Sequence, residues 1–141
     1  MKVGFIGAGK VGTAFGLFLK DKGVQLSGYA SRSYASACAS AEMTSSRAYL
    51  NALDLIHASD LIFLTTRDDQ IEKLAASLAE QLGKMATNIG GGSDPQVFIH
   101  MSGAHSAEIL LPLKEIGYEI GTLHPLQSVS DIEQARLSLG G

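Results

Sequence analysis

The sequence predicts an α/β fold whose mostly parallel sheet is doubly wound, with helices on both of its faces. Short apolar runs alternate along the chain with longer segments in which apolar residues recur at helical spacing. The runs are apolar throughout, as expected of strands that are buried on both faces. The 141 residues have room for one domain, and we expect it to span residues 1–141.

The first half of the chain contains two of these strands, at Lys2–Ile6 and Gln25–Ala30. The helix between them carries an apolar stripe and ends at Gly23. The serine- and alanine-rich residues 31–46 are predicted as a second helix with a turn at residues 44–46. Residues 49–59 fit either a helix or a loop.

The second half adds three strands, at Leu61–Leu64, residues 97–101 and residues 118–123. Between the first two, Asp69 and Glu72 match a capping box that opens an amphipathic helix, and Gly83 ends this helix. Residues 106–111 are predicted to be helical, and Pro112 forces either a kink or a new helix start. Strands and helices therefore alternate along the whole chain.

The composition argues against several classes of function. The net charge is −3 and no stretch gathers lysines or arginines, so we expect no nucleic-acid partner. The apolar runs are far shorter than the roughly 20 residues of a membrane-spanning helix, so no membrane role is expected. Cys38 is the single cysteine, which excludes an internal disulfide and agrees with a reducing, cytoplasmic setting. The histidines lack the spacing of a metal site.

A glycine-rich loop, Gly7-Ala8-Gly9-Lys10-Val11-Gly12, directly follows the first strand and opens the first helix. This placement makes it the G-x-G-x-x-G motif of a Rossmann-type dinucleotide-binding domain. Gly7 permits the tight turn, Gly9 lets the backbone approach the pyrophosphate, and Gly12 lets the helix pack closely. The free N–H groups of the helix start, which includes Lys10 and Val11, then face the phosphates.

The end of the second strand indicates which dinucleotide is preferred. NAD-selective domains carry an Asp or Glu about 20 residues beyond the loop, where it holds the ribose 2′-hydroxyl. This sequence instead has Ser31, Arg32 and Ser33, a guanidinium flanked by two hydroxyls that suits a 2′-phosphate. NADP is therefore the expected cofactor and NAD the less favoured one, unless Arg32 is only a solvated loop residue.

Residues just after the strands form the candidate substrate side, because ligands of doubly wound sheets lie beyond the carboxyl ends of the strands. Thr66 is assigned to the cofactor site, and Ser102 and Gly103 are placed beside the nicotinamide. His100, Ser102 and His124 are the candidate catalytic residues, since an imidazole titrates near neutral pH. The alternative for both histidines is a hydrogen bond that holds loops together, and we favour it for His100, inside an apolar strand.

Four segments together resemble one family closely: residues 7–12, Ser31-Arg32-Ser33, His100-Met101-Ser102-Gly103-Ala104 and Leu123-His124-Pro125-Leu126-Gln127-Ser128. The family is a group of bacterial two-domain proteins assigned as NADP-dependent oxidoreductases. It is related to pyrroline-5-carboxylate reductase, 6-phosphogluconate dehydrogenase and the deazaflavin-dependent NADP reductases. Such proteins continue into a helical domain that closes over the nicotinamide and usually makes the dimer, and we expect this sequence to lack that domain.

The resemblance implies that the chain is the NADP-binding half of an oxidoreductase that transfers hydride between NADP(H) and a small carbonyl or imine substrate. We expect the chain alone to be inactive, because half of the water-poor site is missing, and a homodimer is the assembly that the resemblance suggests. A non-catalytic module that senses NADP, or that uses it to set its association state, remains the alternative, because folds of this type host many functions.

Overall fold

Six parallel strands form one sheet in the computed structural model, which describes residues 1–85, 96–102 and 105–123. They are β1 (Lys2–Ile6), β2 (Gln25–Ala30), β3 (Arg47–Tyr49), β4 (Leu61–Leu64), β5 (Val97–His100) and β6 (Glu119–Thr122). Their order across the sheet is β3-β2-β1-β4-β5-β6, and every neighbouring pair is parallel. The chain direction across the sheet reverses between β1 and β4, which is the switch point where such sheets bind ligands.

Helices cover both faces of this sheet. They are α1 (Lys10–Asp21), α2 (Tyr34–Thr44), α3 (Ala52–His57), α4 (Asp68–Met85) and α5 (Leu111–Glu115), the last preceded by a 3-10 turn at Ala107–Leu110. One core cluster, with Phe5 and Tyr29 at its centre, lies between the sheet and the helices α1 and α2. The other contains Leu64 and Phe98 and lies between the sheet and the helices α3, α4 and α5. The fold is the doubly wound α/β arrangement that the sequence predicts.

The predicted strands all form, and the last two are one and two residues shorter than expected. The serine- and alanine-rich segment is helical from Tyr34 to Thr44, and Ser45 takes the left-handed conformation (φ 53°) in the predicted turn. The stretch 49–59, open between helix and loop, contains α3, and Tyr49 at its start ends the strand β3. The sequence predicts no strand at the position of β3.

Two predicted boundaries of α4 are wrong. The helix begins at Asp68, so Asp69 lies inside its first turn instead of capping it, and the predicted capping box is not the start of the helix. Carboxylates in a first turn are still favourable, because they face the positive end of the helix dipole. At the other end, α4 runs through Gly83 to Met85. A glycine inside a helix costs only about 1 kcal/mol relative to alanine, which tertiary packing easily overrides.

Pro112 lies in the first turn of α5, so it starts a new helix and does not kink an existing one. This position suits proline, because the N–H groups of a first turn have no acceptor within the helix. The longest helix described is α4, with 18 residues. No helix in the described ranges is long and apolar enough to cross a membrane.

Gly28 lies in β2 where the register between β1 and β2 shifts, and it has a φ of +142°. The backbone of Arg47 in β3 comes so close that a Cβ on Gly28 would collide with the Arg47 carbonyl oxygen and lie 2.7 Å from its carbonyl carbon. Glycine weakens the interior of a strand, but Gly28 is the residue that lets β3 join the sheet.

We expect Gly28→Ala to lower the free energy of unfolding by about 3 kcal/mol or more. Left-handed strain and steric overlap each cost about 1 to 3 kcal/mol, and both act at this position. Gly23→Ala is the matched control, since Gly23 also has a positive φ (+83°) but open space around its Cβ position. The control has only the strain of about 1 to 2 kcal/mol. Urea unfolding measures both, and equal losses would contradict the close approach of Arg47.

Candidate functional site

The glycine loop connects β1 to α1 through a turn that needs a glycine at its start. Gly7 has a φ of +115°, and its N–H donates to the carbonyl oxygen of Ala30 at the end of β2 (2.8 Å). A Cβ on Gly7 would lie 2.7 Å from the carbonyl carbon of Thr65, just after β4. The turn therefore brings the loop against the ends of both neighbouring strands.

The start of α1 presents bare backbone. Gly9 flanks the helix in an extended conformation (φ −86°, ψ −168°), and no side chain caps its N–H groups. The first bond of this turn runs from Thr13 N to Gly9 O (3.0 Å), so the N–H groups before Thr13 have no acceptor within the helix. A Cβ on Gly9 would meet no atom within 4 Å, which leaves the space in front of these groups open.

Gly12 lets this first turn come into contact with the strand ends. A Cβ there would lie 2.6 Å from Thr65 Oγ1 and 2.8 Å from Gly7 O. The side chain of Val11 packs against the core cluster under α1, so Val11 offers the cleft only its backbone. Lys10 is exposed and borders the groove between α1 and α2.

A cleft of about 490 Å³ opens at the switch point, in front of the glycine loop. Its lining comes from the ends of three strands and from the first turns of α4: Ile6, Gly7, Ala8, Gly9, Ser31, Arg32, Thr65, Thr66, Arg67, Gln70, Lys73 and Leu74. The charged residues of this lining are all cationic, namely Arg32, Arg67 and Lys73, and no Asp or Glu is among the described residues that line it. The cleft is thus a place where an anionic ligand is favoured.

The three residues after β2, Ser31, Arg32 and Ser33, have different roles. Arg32 is exposed and lines the cleft together with Ser31. Ser31 Oγ accepts a bond from Ser33 N (3.4 Å). Ser33 Oγ accepts from Ser36 N (3.3 Å) and thereby caps α2. Ser33 is therefore a capping residue, while Arg32 and Ser31 face the cleft.

Two adjacent threonines behave differently. Thr65 Oγ1 donates to Gly7 O (2.8 Å) and so ties β4 to the glycine loop. Thr66 Oγ1 is buried at the cleft and has no hydrogen-bond partner within the described chain. A buried hydroxyl without a partner is costly, so Thr66 Oγ1 is available to hydrogen-bond with a ligand in the cleft.

His100 is fully buried, and both of its ring nitrogens are used. Its Nδ1 accepts from Ser102 N (3.1 Å), and its Nε2 lies 2.8 Å from Ser106 O. Because Nδ1 accepts, Nε2 carries the proton and donates it to Ser106 O. This geometry supports the loop-holding role, and it leaves no ring nitrogen free for proton transfer. Ser102 is 3 % exposed, and the predictions for Gly103 and His124 lie outside the described residues.

Several lining residues are absent from the predicted site. Gln70, Lys73 and Leu74 share one face of α4, three and four residues apart, and that face borders the cleft. Leu74 is one of the apolar residues that recur at helical spacing in the predicted amphipathic helix, and this spacing is the signal that the same face of the helix packs toward the sheet. In the described part of the chain, no group of His, Cys, Asp and Glu residues is arranged to hold a metal ion.

Comparisons with known proteins agree with this fold. The sequence model of one protein family, the Rossmann-like domain, matches residues 1–125. A comparison with curated proteins finds no match. Similar solved structures include a Bacteroides fragilis protein assigned as an NADP oxidoreductase (20% identity, TM-score 0.65, covering 90% of this chain and 44% of that one).

Two other similar structures carry enzyme names. One is a pyrroline-5-carboxylate reductase from Coxiella burnetii (16% identity, TM-score 0.69, covering 92% of this chain and 45% of that one). The other is a reductive aminase from Aspergillus terreus in complex with NADPH and ethyl-5-oxohexanoate (16% identity, TM-score 0.64, covering 92% and 42%). At these identities the likeness concerns the fold, and this chain spans less than half the length of each of the three proteins.

We expect Thr66→Val to leave the thermal stability of the chain unchanged or to raise it. The variant keeps the shape of the side chain and removes a buried hydroxyl that has no partner. Thr65→Val is the matched control, because it removes the bond to Gly7 O and costs about 1 kcal/mol. Thermal unfolding followed by circular dichroism measures both. A clear loss of stability in Thr66→Val would mean that its hydroxyl is already satisfied.

Proposed function

We propose that this chain, which belongs to the Rossmann-like domain family, is the NADP-binding half of an oxidoreductase. The observation that carries the proposal is the cleft at the switch point of the sheet. There the uncapped start of α1 and the Arg32 side chain border one space without a carboxylate in its described lining. Backbone donors and exposed cationic side chains in one cleft suit a ligand that carries several phosphate groups.

The pyrophosphate would lie against the start of α1. The N–H groups of Gly9, Lys10 and Val11 have no acceptor in the helix and can each donate to a phosphate oxygen. The helix dipole adds a favourable potential for an anion at the same place. The open space at the Gly9 Cβ position lets a phosphate group come within hydrogen-bond distance of these donors.

The adenosine ribose would lie at the end of β2. In this position a carboxylate selects NAD by binding the 2′-hydroxyl and repelling a 2′-phosphate. Ser31 and Arg32 occupy the cleft wall instead, and they favour the 2′-phosphate of NADP. The lone hydroxyl of Thr66, on the β4 side of the cleft, supplies a further hydrogen-bond donor for the ligand.

Hydride transfer would take place beyond the carboxyl ends of β4 and β5, where the nicotinamide of such a ligand comes to lie. NADP(H) supplies the hydride chemistry, and this chain binds and orients the cofactor. We propose Ser102 and Gly103 as neighbours of the nicotinamide and His124 as a catalytic residue, with His100 holding the loop. The imine and carbonyl chemistry of the named relatives supports a small carbonyl or imine as the substrate.

Titration of the chain with NADPH and with NADH, followed by calorimetry, tests the proposal most directly. We expect saturable binding of NADPH and weaker binding of NADH. No binding of either at millimolar concentration would overturn the proposal. Binding of NADPH that changes the association state of the chain, measured by light scattering, would favour the non-catalytic sensing module.

Arg32→Ala should weaken NADPH binding by about 10- to 100-fold and NADH binding little. The physical reason is that only NADPH presents a 2′-phosphate, and hydrogen bonds to charged groups contribute about 1.5 to 3 kcal/mol. Arg47→Ala is the matched control, since Arg47 is an exposed arginine that stacks over Tyr49 and does not line the cleft. Equal losses for both cofactors would show that Arg32 acts on the structure and not on the 2′-phosphate.

Gly9→Val should abolish dinucleotide binding while the fold persists. Gly9 has a negative φ, so valine introduces no left-handed strain, and its side chain would extend into the empty space that the pyrophosphate needs. Gly83→Val in α4 is a control far from the glycine loop, and it should bind like the parent. Circular dichroism and an NADPH titration check both variants. Parental affinity in a folded Gly9→Val variant would mean that the loop holds no phosphate.

A further inference from the structure

Tyr29 in β2 is fully buried beneath the first turns of α1. Its ring stacks on that of Phe5, with 4.9 Å between the centroids, and its hydroxyl donates to Gly12 O (2.8 Å). This bond joins the middle of the sheet to the residue that ends the glycine motif. A side chain of the second strand therefore supports the loop that follows the first.

The fit of α1 on this hydroxyl is tight. A Cβ on Gly16, one turn beyond Gly12, would collide with the Tyr29 hydroxyl oxygen and lie 3.2 Å from Tyr29 Cζ. It would also lie 3.3 Å from Thr44 Cγ2. The Tyr29 side chain thus sets how closely α1 approaches the sheet. Its contact with Gly16 limits the approach, and its hydrogen bond to Gly12 O holds the helix at that distance.

The Tyr29 hydroxyl keeps its proton and therefore remains a hydrogen-bond donor. Burial raises the pKa of the Tyr29 phenol above its usual value, so the group stays protonated throughout the physiological range. A buried phenol needs a partner, and Gly12 O provides one inside a region from which water is excluded. Loss of the hydroxyl would leave the first turn of α1 held by the packing of Gly12 on Thr65 and Gly7 and by the hydrogen bond between Thr13 Oγ1 and Ser40 Oγ.

We propose that Tyr29 is a positioning residue for the dinucleotide, which it serves by holding the start of α1 at a fixed height above the end of β2. The inference rests on the proposed function. Ser31 lies two residues beyond Tyr29, directly after the end of β2, and Arg32 follows it. One rigid ring therefore connects the donors for the pyrophosphate with the groups for the 2′-phosphate. The separation of these two subsites is set by the bond to Gly12.

Tyr29→Phe in the full chain tests the inference, because it removes the hydroxyl and keeps the ring stacked on Phe5. We expect it to weaken ADP, which carries a diphosphate, and NADPH by about 3- to 10-fold, as fits the loss of one hydrogen bond. Adenosine 2′-monophosphate, which has no diphosphate, should bind with parental affinity. Tyr118→Phe, on the other face of the sheet, is the matched control and should change none of the three affinities.

A second pair of variants separates positioning from a general loss of structure. Gly16→Ala should displace α1 and weaken ADP, and Gly16→Ala combined with Tyr29→Phe should bind ADP better than Gly16→Ala alone, because the colliding oxygen is gone. Additive losses in the double variant would overturn the inference. So would parental ADP affinity in Tyr29→Phe, or an equal loss for adenosine 2′-monophosphate.

The amide signals of Gly9, Lys10 and Gly12 in nitrogen-15 NMR provide a readout that needs no ligand. We expect lower order parameters for these amides in Tyr29→Phe than in the parent, and unchanged values in Tyr118→Phe. If the parent binds neither ADP nor NADPH, the proposed function fails, while these signals still decide whether Tyr29 orders the loop. Unchanged order parameters of these amides in Tyr29→Phe would by themselves overturn the inference.

Discussion

The missing side chain at Gly12 lets the first turn of α1 lie against the ends of β1 and β4, and the shape of the whole cleft depends on that contact. Any Cβ at this position would overlap Thr65 Oγ1 and Gly7 O, so the helix would have to move outward. An outward shift of even about 1 Å would take its N–H groups out of hydrogen-bond range of a ligand that stays at the strand ends. The packing of one glycine therefore determines where backbone donors can meet an anion.

Hydroxyl groups on the opposite side of the loop fix the direction of these donors. Thr13 Oγ1 lies 2.9 Å from Gly9 O and 2.7 Å from Ser40 Oγ, and Ser40 Oγ lies 3.3 Å from Ala8 O. The carbonyl groups of Ala8 and Gly9 thus face Thr13 and α2. In a trans peptide the N–H group points opposite to the carbonyl group, so the N–H groups of Gly9 and Lys10 point away from α2 and toward open space. The serine- and alanine-rich helix is in this way part of the support of the loop.

The sequence predicts the parts of this molecule that leave a periodic or positional signal. The glycine loop is predicted because it stands between a buried strand and an amphipathic helix, and the strands are predicted because they are apolar on both faces. The three-residue strand β3 is too short for any period, and it exists only because Gly28 admits the backbone of Arg47. Lys73 reaches the cleft because the first turns of α4 lie beside the strand ends, a placement in three dimensions that the spacing of residues along α4 does not give.

His100 illustrates a limit of a different kind. An imidazole at the end of a strand has the right chemistry for catalysis, and only the positions of Ser102 N and Ser106 O assign it to the loop instead. The path of the chain after a strand decides which groups become hydrogen-bond partners of a side chain in that strand. The type of the residue does not predict this path. The hydrogen bond between Thr65 Oγ1 and Gly7 O cannot be predicted from the sequence either, because 58 residues separate the two partners and the pairing of β1 with β4 brings them together.

The choice between NADP and NAD is a difference between two binding free energies, and the parts of the cleft contribute to it unequally. Both cofactors carry the pyrophosphate, so the donors that we propose at the start of α1 would favour the two alike. Arg67 and Lys73 raise the potential of the cleft for any phosphate group. Only a group beside the 2′-position can discriminate, and Arg32 is the group that we propose for this role on the β2 side of the cleft. Selectivity in such a cleft would therefore depend on one exposed side chain, while affinity would depend on backbone N–H groups that every residue type except proline carries.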